Sequence, residues 1–268
     1  MTNLKIQINF NQQKLKFQIE VKEKMKQIIF FILFFTKLVL AQEPSGEWIL
    51  NQIDKNLTST NRILTSKMVI HGRRESRTIE SKSWVQGVDK SFTEYLAPAR
   101  EKGTKMLKLE KMLWLYSPAT DRIIQISGHM LRQSVMGSDL SYEDMMEDPK
   151  LTNNYEAKVA GSEAIDDRDC WIVELTAKVQ EIAYHSRKLW VDKDRLIPLK
   201  EELYAKSGKL LKKMELEDVT NIQGRWYPNR MIFKDMLKTG KGTEFIIDSI
   251  QFDQDIPEYI FSKAALRK

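Results

Sequence analysis

The sequence predicts a mainly β protein with a few helices (α+β): a curled antiparallel sheet forming a β-barrel, open or closed, with helices filling one end. Three observations predict it. Beyond residue 61 the chain breaks into short apolar or alternating runs, about eight to twelve residues apart and divided by turn residues. No strand–helix–strand alternation of the kind that builds a parallel sheet occurs. About thirteen such runs are present, and a sheet with more than about ten strands tends to curl.

The chain opens on a biased segment. Lys22, Lys24 and Lys26 precede an apolar run over 28–35, and Val39-Leu40-Ala41 supplies an acceptable cleavage point. This reads as a secretory signal peptide at 25–41, cut after Ala41. The run is shorter than the roughly 20 apolar residues of a spanning helix. Met25 is the expected start, which makes residues 1–24 an upstream extension of the reading frame. Residues 42–268 are then expected to form a single domain. Residues 1–41 carry seven Lys and two Glu, so 36 basic and 35 acidic residues remain, a net charge of +1. The basic balance of the whole chain is a leader effect, and nothing in the remainder asks for nucleic acid. Cys170 is the single cysteine, so an exported chain has no internal disulfide and its core must hold it. Beside Trp171 it reads as a buried, inert thiol.

Ser45 is placed to cap a first helix, with Trp48, Ile49, Gln52, Ile53, Asn56 and Leu57 on one face. Strands are expected at 67–71, 78–86 and 91–96, then in "GTKMLKLE", "KMLWLYSP" and "DRIIQIS". After an acidic interruption they resume at 155–160, 169–177, 184–192, 196–204, 209–222, 226–236 and 243–252, and "IPEYIFSKAALRK" reads as a turn and short helix. Large soft side chains sit on these strands. In "MLWLY" Met112, Trp114 and Tyr116 alternate with Leu113 and Leu115, so this strand is covered on both sides or lines a cavity on one. Core and cavity both stay open at this point.

Residues 137–149, "GSDLSYEDMMEDP", hold five acids. They fail the EF-hand spacing, because the glycine position is occupied by Asp144 when the loop is started at Asp139. Asp139 and Glu143 lie four apart and would share a helix face, leaving a carboxylate-dependent hydrolase as a minor alternative. Ser141 and Asp144 are spaced as a capping box, Leu140 can staple onto Met145, and Pro149 stops the helix. On that reading the acids are solvated capping positions, and Tyr142, Met145 and Met146 face inward. His71, His129 and His185 are isolated, and no phosphate loop, zinc spacing or nucleophile elbow occurs. No enzymatic activity, metal or cofactor is expected.

Four segments carry a resemblance. "GSDLSYEDM" (137–145), "KLWVDKDRLIPLKEELY" (188–204), "GRWYPNRMIFKD" (224–235) and "IPEYIFSKAAL" (256–266) resemble the LolA-like family of periplasmic outer-membrane lipoprotein-sorting proteins. The resemblance covers most of residues 45–268. It implies an unclosed LolA/LolB-like barrel with helices as a lid over a hydrophobic cavity. It implies an acylated lipoprotein or lipid as cargo, an inner-membrane transporter as donor and an outer-membrane acceptor, in the periplasm of a Gram-negative-type envelope, with the carrier a monomer. The cavity-lining candidates are then Trp84, Met106, Trp114, Tyr116, Ile124, Ile126, Leu140, Tyr142, Met145, Trp190, Met231 and Phe233. The family's basic residue under the lid has Arg73, Arg74 and Arg77 as candidates. An envelope scaffold without a lipid cavity is the alternative of another class.

Overall fold

The computed structural model describes residue 16 and residues 20–27, 43–72 and 75–268. The leader's apolar run, the cut after Ala41, and Arg73 and Arg74 lie outside the described residues. Residues 20–27 form a short helix, α1, with Lys26 and Glu23 3.1 Å apart on its exposed side. Among the described residues no helix is long and apolar enough to cross a membrane.

Residues Pro44–Lys268 form a unit of their own. Helix α2 (Gly46–Leu57) starts where expected: Ser45 is extended and its hydroxyl accepts from the Trp48 amide at 3.1 Å. Its buried stripe is Ile49, Leu50 and Ile53, whereas Trp48 is 44 % exposed. The expected face is therefore rotated. Gly46 and Leu50 face the sheet, because the helix lies so close to β7 that a Cβ on Gly46 would come within 2.4 Å of the Ala157 carbonyl oxygen.

The strands are β1 (Asn61–His71), β2 (Ser76–Gln86), β3 (Lys90–Ala97), β4 (Lys105–Leu109), β5 (Met112–Ser117), β6 (Arg122–Ile126), β7 (Tyr155–Ile165), β8 (Arg168–Ala177), β9 (Ser186–Asp192), β10 (Pro198–Tyr204), β11 (Leu210–Ile222), β12 (Arg225–Asp235) and β13 (Thr243–Phe252). All thirteen form one sheet in the order β6-β5-β4-β3-β2-β1-β13-β12-β11-β10-β9-β8-β7. Every described pairing is antiparallel. The sheet is not closed into a barrel, since β6 and β7 are its two edges. It is two meanders joined at their first and last strands, β1 and β13, rather than one running meander. The first strand begins six residues earlier than its apolar run, because Arg62, Thr65 and Ser66 pair with β2 and β13 despite their polarity.

The segment linking β6 to β7 must run from one sheet edge to the other. It holds two 3₁₀ turns (Gly128–Arg132 and Val135–Gly137), helix α3 (Tyr142–Met146) and helix α4 (Leu151–Asn154). The single helix expected over "SYEDMMED" is thus shorter. It ends at Glu147, which is extended. The tail forms two further 3₁₀ turns, Glu258–Phe261 and Lys263–Arg267.

Each face of the sheet has its own cover. Helix α2 packs Ile49, Leu50 and Ile53 on Val173, Leu175, Leu189 and Val191. The tail packs Ile256, Phe261 and Leu266 on Phe92, Leu107 and Trp114. On β4 and β5, Leu107 is opposite Trp114 and Met106 opposite Leu115, so the alternation puts Trp114 and Met106 on different faces. The strand apolar on both sides is covered on both sides.

Candidate functional site: an apolar cavity beside a buried polar clamp

The face carrying Met106 also carries Met68, Ile79, Tyr95, Met231, Phe233 and Phe245. Register brings them together: Met68 lies opposite both Ile79 and Phe245, and Phe245 opposite Met231. Leu140 and Met145 from the linking segment pack on this row. Between them lies an apolar cavity of about 180 Å³. Its polar lining is self-satisfied, since Ser83 and Thr93 bond to each other at 2.8 Å, and Ser81 bonds to Ser66 at 3.0 Å.

A second cavity of about 310 Å³ adjoins it and shares Leu140, Met145, Met231 and Phe233 as walls. Its far wall is ionic. Lys212, Arg187 and Glu201 alternate with outward residues of β11, β9 and β10 and stand in phase with Met214, Leu189 and Leu203. They place charge on the apolar side of the sheet.

The acidic motif meets these charges. Ser141 and Asp144 form the capping box: the Asp144 amide donates to the Ser141 hydroxyl at 3.2 Å, and the Ser141 amide to the Asp144 carboxylate at 2.7 Å. Leu140 and Met145 occupy the staple positions and share one cluster. Beyond the helix, Asp144 pairs with Lys212 and accepts from the Tyr184 hydroxyl, while Glu147 pairs with Arg187. Arg187 also donates to the Tyr155 hydroxyl at 3.0 Å and stacks on the rings of Tyr155 and Tyr184. Asp139 accepts from the Asp235 amide and the Thr243 hydroxyl, each at 2.9 Å. Asp54 of α2 accepts from the Leu151 and Thr152 amides at 2.9 and 3.1 Å, capping α4 from outside. Arg77 donates to the Met136 carbonyl. The expectation that the acids are solvated is corrected for Asp139, Asp144 and Glu147: they pin the segment to β9, β11, β12 and β13.

Burial and partners set the protonation of this clamp. Burial opposes ionisation of Asp144, but the Lys212 ammonium and the hydrogen bonds from Lys212, Ser141 and Tyr184 hold its carboxyl below the usual range. Burial raises Tyr184, and Asp144 raises it further. Tyr155 is pushed up to about 12, chiefly by burial. Burial raises Glu201 and overrides the opposing pull of Arg187. Cys170 is fully buried, with its thiol pushed up to about 11 by burial. Among the described residues no group of three His, Cys, Asp or Glu is placed to hold a metal.

Of the candidate lining residues, Met106, Leu140, Met145, Met231 and Phe233 surround the apolar cavity. Ile126 and Tyr142 lie in the neighbouring cluster with Met106 and Val135. Trp84, Trp114 and Tyr116 belong to the other face, under the tail. Trp190 also faces away, donating to Glu163 at 2.7 Å with Lys188 and Lys200 over its ring. Ile124 is 44 % exposed. Period-two alternation defines two faces without saying which is concave. Sequence reasoning missed Met68, Ile79, Tyr95 and Phe245, and the whole ionic wall. A signal for that wall exists: Arg187, Glu201 and Lys212 are charges at core-phase positions of otherwise apolar alternations.

A family model described as an uncharacterized-protein family matches residues 87–268. No curated protein matches the chain by sequence. Three solved structures are similar. A DUF1329 family protein from Desulfovibrio piger is 27 % identical, with a TM-score of 0.76 over 82 % of this chain and 97 % of that one. A putative outer membrane lipoprotein-sorting protein domain from Vibrio parahaemolyticus is 25 % identical, with a TM-score of 0.73 over 83 % and 98 %. A LolA superfamily protein from Nitrosomonas europaea is 26 % identical, with a TM-score of 0.67 over 83 % and 99 %.

Proposed function

This chain belongs to the DUF1329 family of LolA-like proteins, and from that premise we propose that it is a non-enzymatic periplasmic carrier of acyl chains. Its cargo is an acylated lipoprotein or related lipid, taken from an inner-membrane transporter and passed as a monomer to an outer-membrane acceptor. The supporting observation is the apolar cavity under Leu140 and Met145, on the inner side of a sheet that does not close. Each methylene removed from water gains about 0.8 kcal/mol, which an acyl chain crossing an aqueous space obtains only inside such a container.

The cavity of about 180 Å³ is smaller than the roughly 300–1,000 Å³ of a drug-sized site. Loading a long chain therefore moves the linking segment. That segment packs on the sheet partly through Met136, Met145 and Met146, whose side chains repack at little cost. Arg77, bonded to the Met136 carbonyl, suits the role of the basic residue that holds the unloaded state.

Asp139 does not favour the hydrolase alternative, because both its carboxylate oxygens already accept hydrogen bonds. Displacement of a fluorescent fatty-acid probe, with native mass spectrometry of protein from a periplasmic extract, tests the carrier. Saturable binding and co-purifying acyl species are expected. No saturable binding and no co-purifying acyl species would leave the scaffold alternative standing.

A further inference from the structure

We propose that the ionic wall is a head-group site for a neutral hydrogen-bond donor, so that this carrier selects acyl amides, such as an acylated peptide terminus, over free fatty acids. The proposal rests on the carrier reading and deepens it.

Glu201 motivates it. The residue lies on the inner face of the sheet, 4 % exposed, opposite Leu189 on β9 and Met214 on β11, and it lines the cavity of about 310 Å³. Its Oε2 is buried and has no hydrogen-bond partner. The Arg187 Nη1 is 3.6 Å from that oxygen, an ion-pair distance beyond hydrogen-bond length. A buried acceptor left without a donor is destabilising, and native proteins rarely keep one.

The surrounding groups have partners. Arg187 is held by Glu147 and Tyr155, Lys212 by Asp144, and Arg62 donates to the Leu57 carbonyl at 3.2 Å. Both oxygens of Asp144 accept bonds. Among the atoms of this wall, Glu201 Oε2 is the buried acceptor that none of these donors reaches within hydrogen-bond distance.

That chemistry sorts ligands. A carboxylate or phosphate head would meet Glu201 with like charge, and the cations nearest to it, Arg187 and Lys212, are already paired with Glu147 and Asp144. An ammonium head would meet Arg187 and Lys212. A neutral amide N–H or hydroxyl completes Glu201 without disturbing either ion pair. The two cavities share Leu140, Met145, Met231 and Phe233, so one amphiphile can set its head at Glu201 and its chain beside Met68 and Ile79.

Two probes that differ by a single donor test this on the purified protein: N-methyl lauramide, which has an N–H, and N,N-dimethyl lauramide, which has none. Laurate serves as the anionic comparison. In the wild type N-methyl lauramide should bind about tenfold more tightly than the dimethyl amide, and laurate should bind less tightly than N-methyl lauramide. In Glu201→Leu the ratio of the two amides should fall to about one while N,N-dimethyl lauramide still binds. Glu201→Gln keeps an acceptor and should keep a preference for the N–H. Equal affinities for the two amides in the wild type, or a ratio unchanged in Glu201→Leu, would overturn the proposal; should Glu201→Leu not fold, the wild-type ratio and Glu201→Gln decide. If neither amide binds, the carrier reading itself falls, an outcome separate from equal binding of both.

Discussion

Asp144 and Glu201 lie in one cavity wall, yet they respond to pH with opposite signs. Asp144 has its folded pKa depressed, so it contributes stability above its unfolded value of about 3.9, and this is lost as pH falls through the lower folded value. Asp144→Asn leaves Lys212 buried without its anion. It should lower unfolding free energy at neutral pH by about 3–5 kcal/mol, measured by urea denaturation, and the gap to wild type should narrow below about pH 4. A gap independent of pH would show that the ion pair is not its source. Glu201 has a raised folded pKa, so its contribution is present at acid pH and is lost as pH rises through the folded value. Glu201→Gln should therefore gain relative to wild type as pH rises from about 4 to 7, because Arg187 retains Glu147. A relative loss over that range would contradict this. Residue identity alone revealed Ser141, Asp144, Leu140 and Met145 as a cap and staple, since these act within six residues of each other. It did not reveal that Asp144 meets Lys212, 68 positions away.

At the scale of elements, α3 is only five residues long, too short to persist by propensity, so its cap and its contacts carry it. Ser141→Ala should cost about 1 kcal/mol and show as faster amide exchange at residues 144–147, with β1–β4 unchanged. Uniform acceleration across the sheet would mean that the cap is not local. Helix α2 depends on close approach instead. Gly46→Ala sets a methyl group against the Ala157 carbonyl oxygen, and the resulting overpacking should destabilise by about 1–3 kcal/mol, read as a lower thermal midpoint. The helix was legible from its cap and periodicity, but its rotation was not: Trp48 is apolar by composition and exposed in the fold. The strands were legible for the same reason, with ends shifted where polar residues such as Arg62 and Thr65 are held by pairing rather than burial.

For the whole molecule, cargo and stability are linked. A ligand that binds the folded chain at about 100 times its Kd should add about 2.7 kcal/mol, seen as a thermal midpoint that rises with the concentration of N-methyl lauramide. No rise at saturating ligand would separate surface adsorption from cavity binding. The strand number, the antiparallel character, the capped segment at its centre and the family followed from the sequence, because alternation, turn residues and caps are local and repeat along the chain. The tertiary structure alone decided that the first and last strands meet in mid-sheet. It also decided that Met106 rather than Trp114 faces the cavity, and that Arg187, Glu201 and Lys212 converge beneath the acidic motif. Those are properties of long-range register and packing: a period of two assigns residues to faces, and only the pairing of distant strands and the segment packed on them say which face lines the cavity.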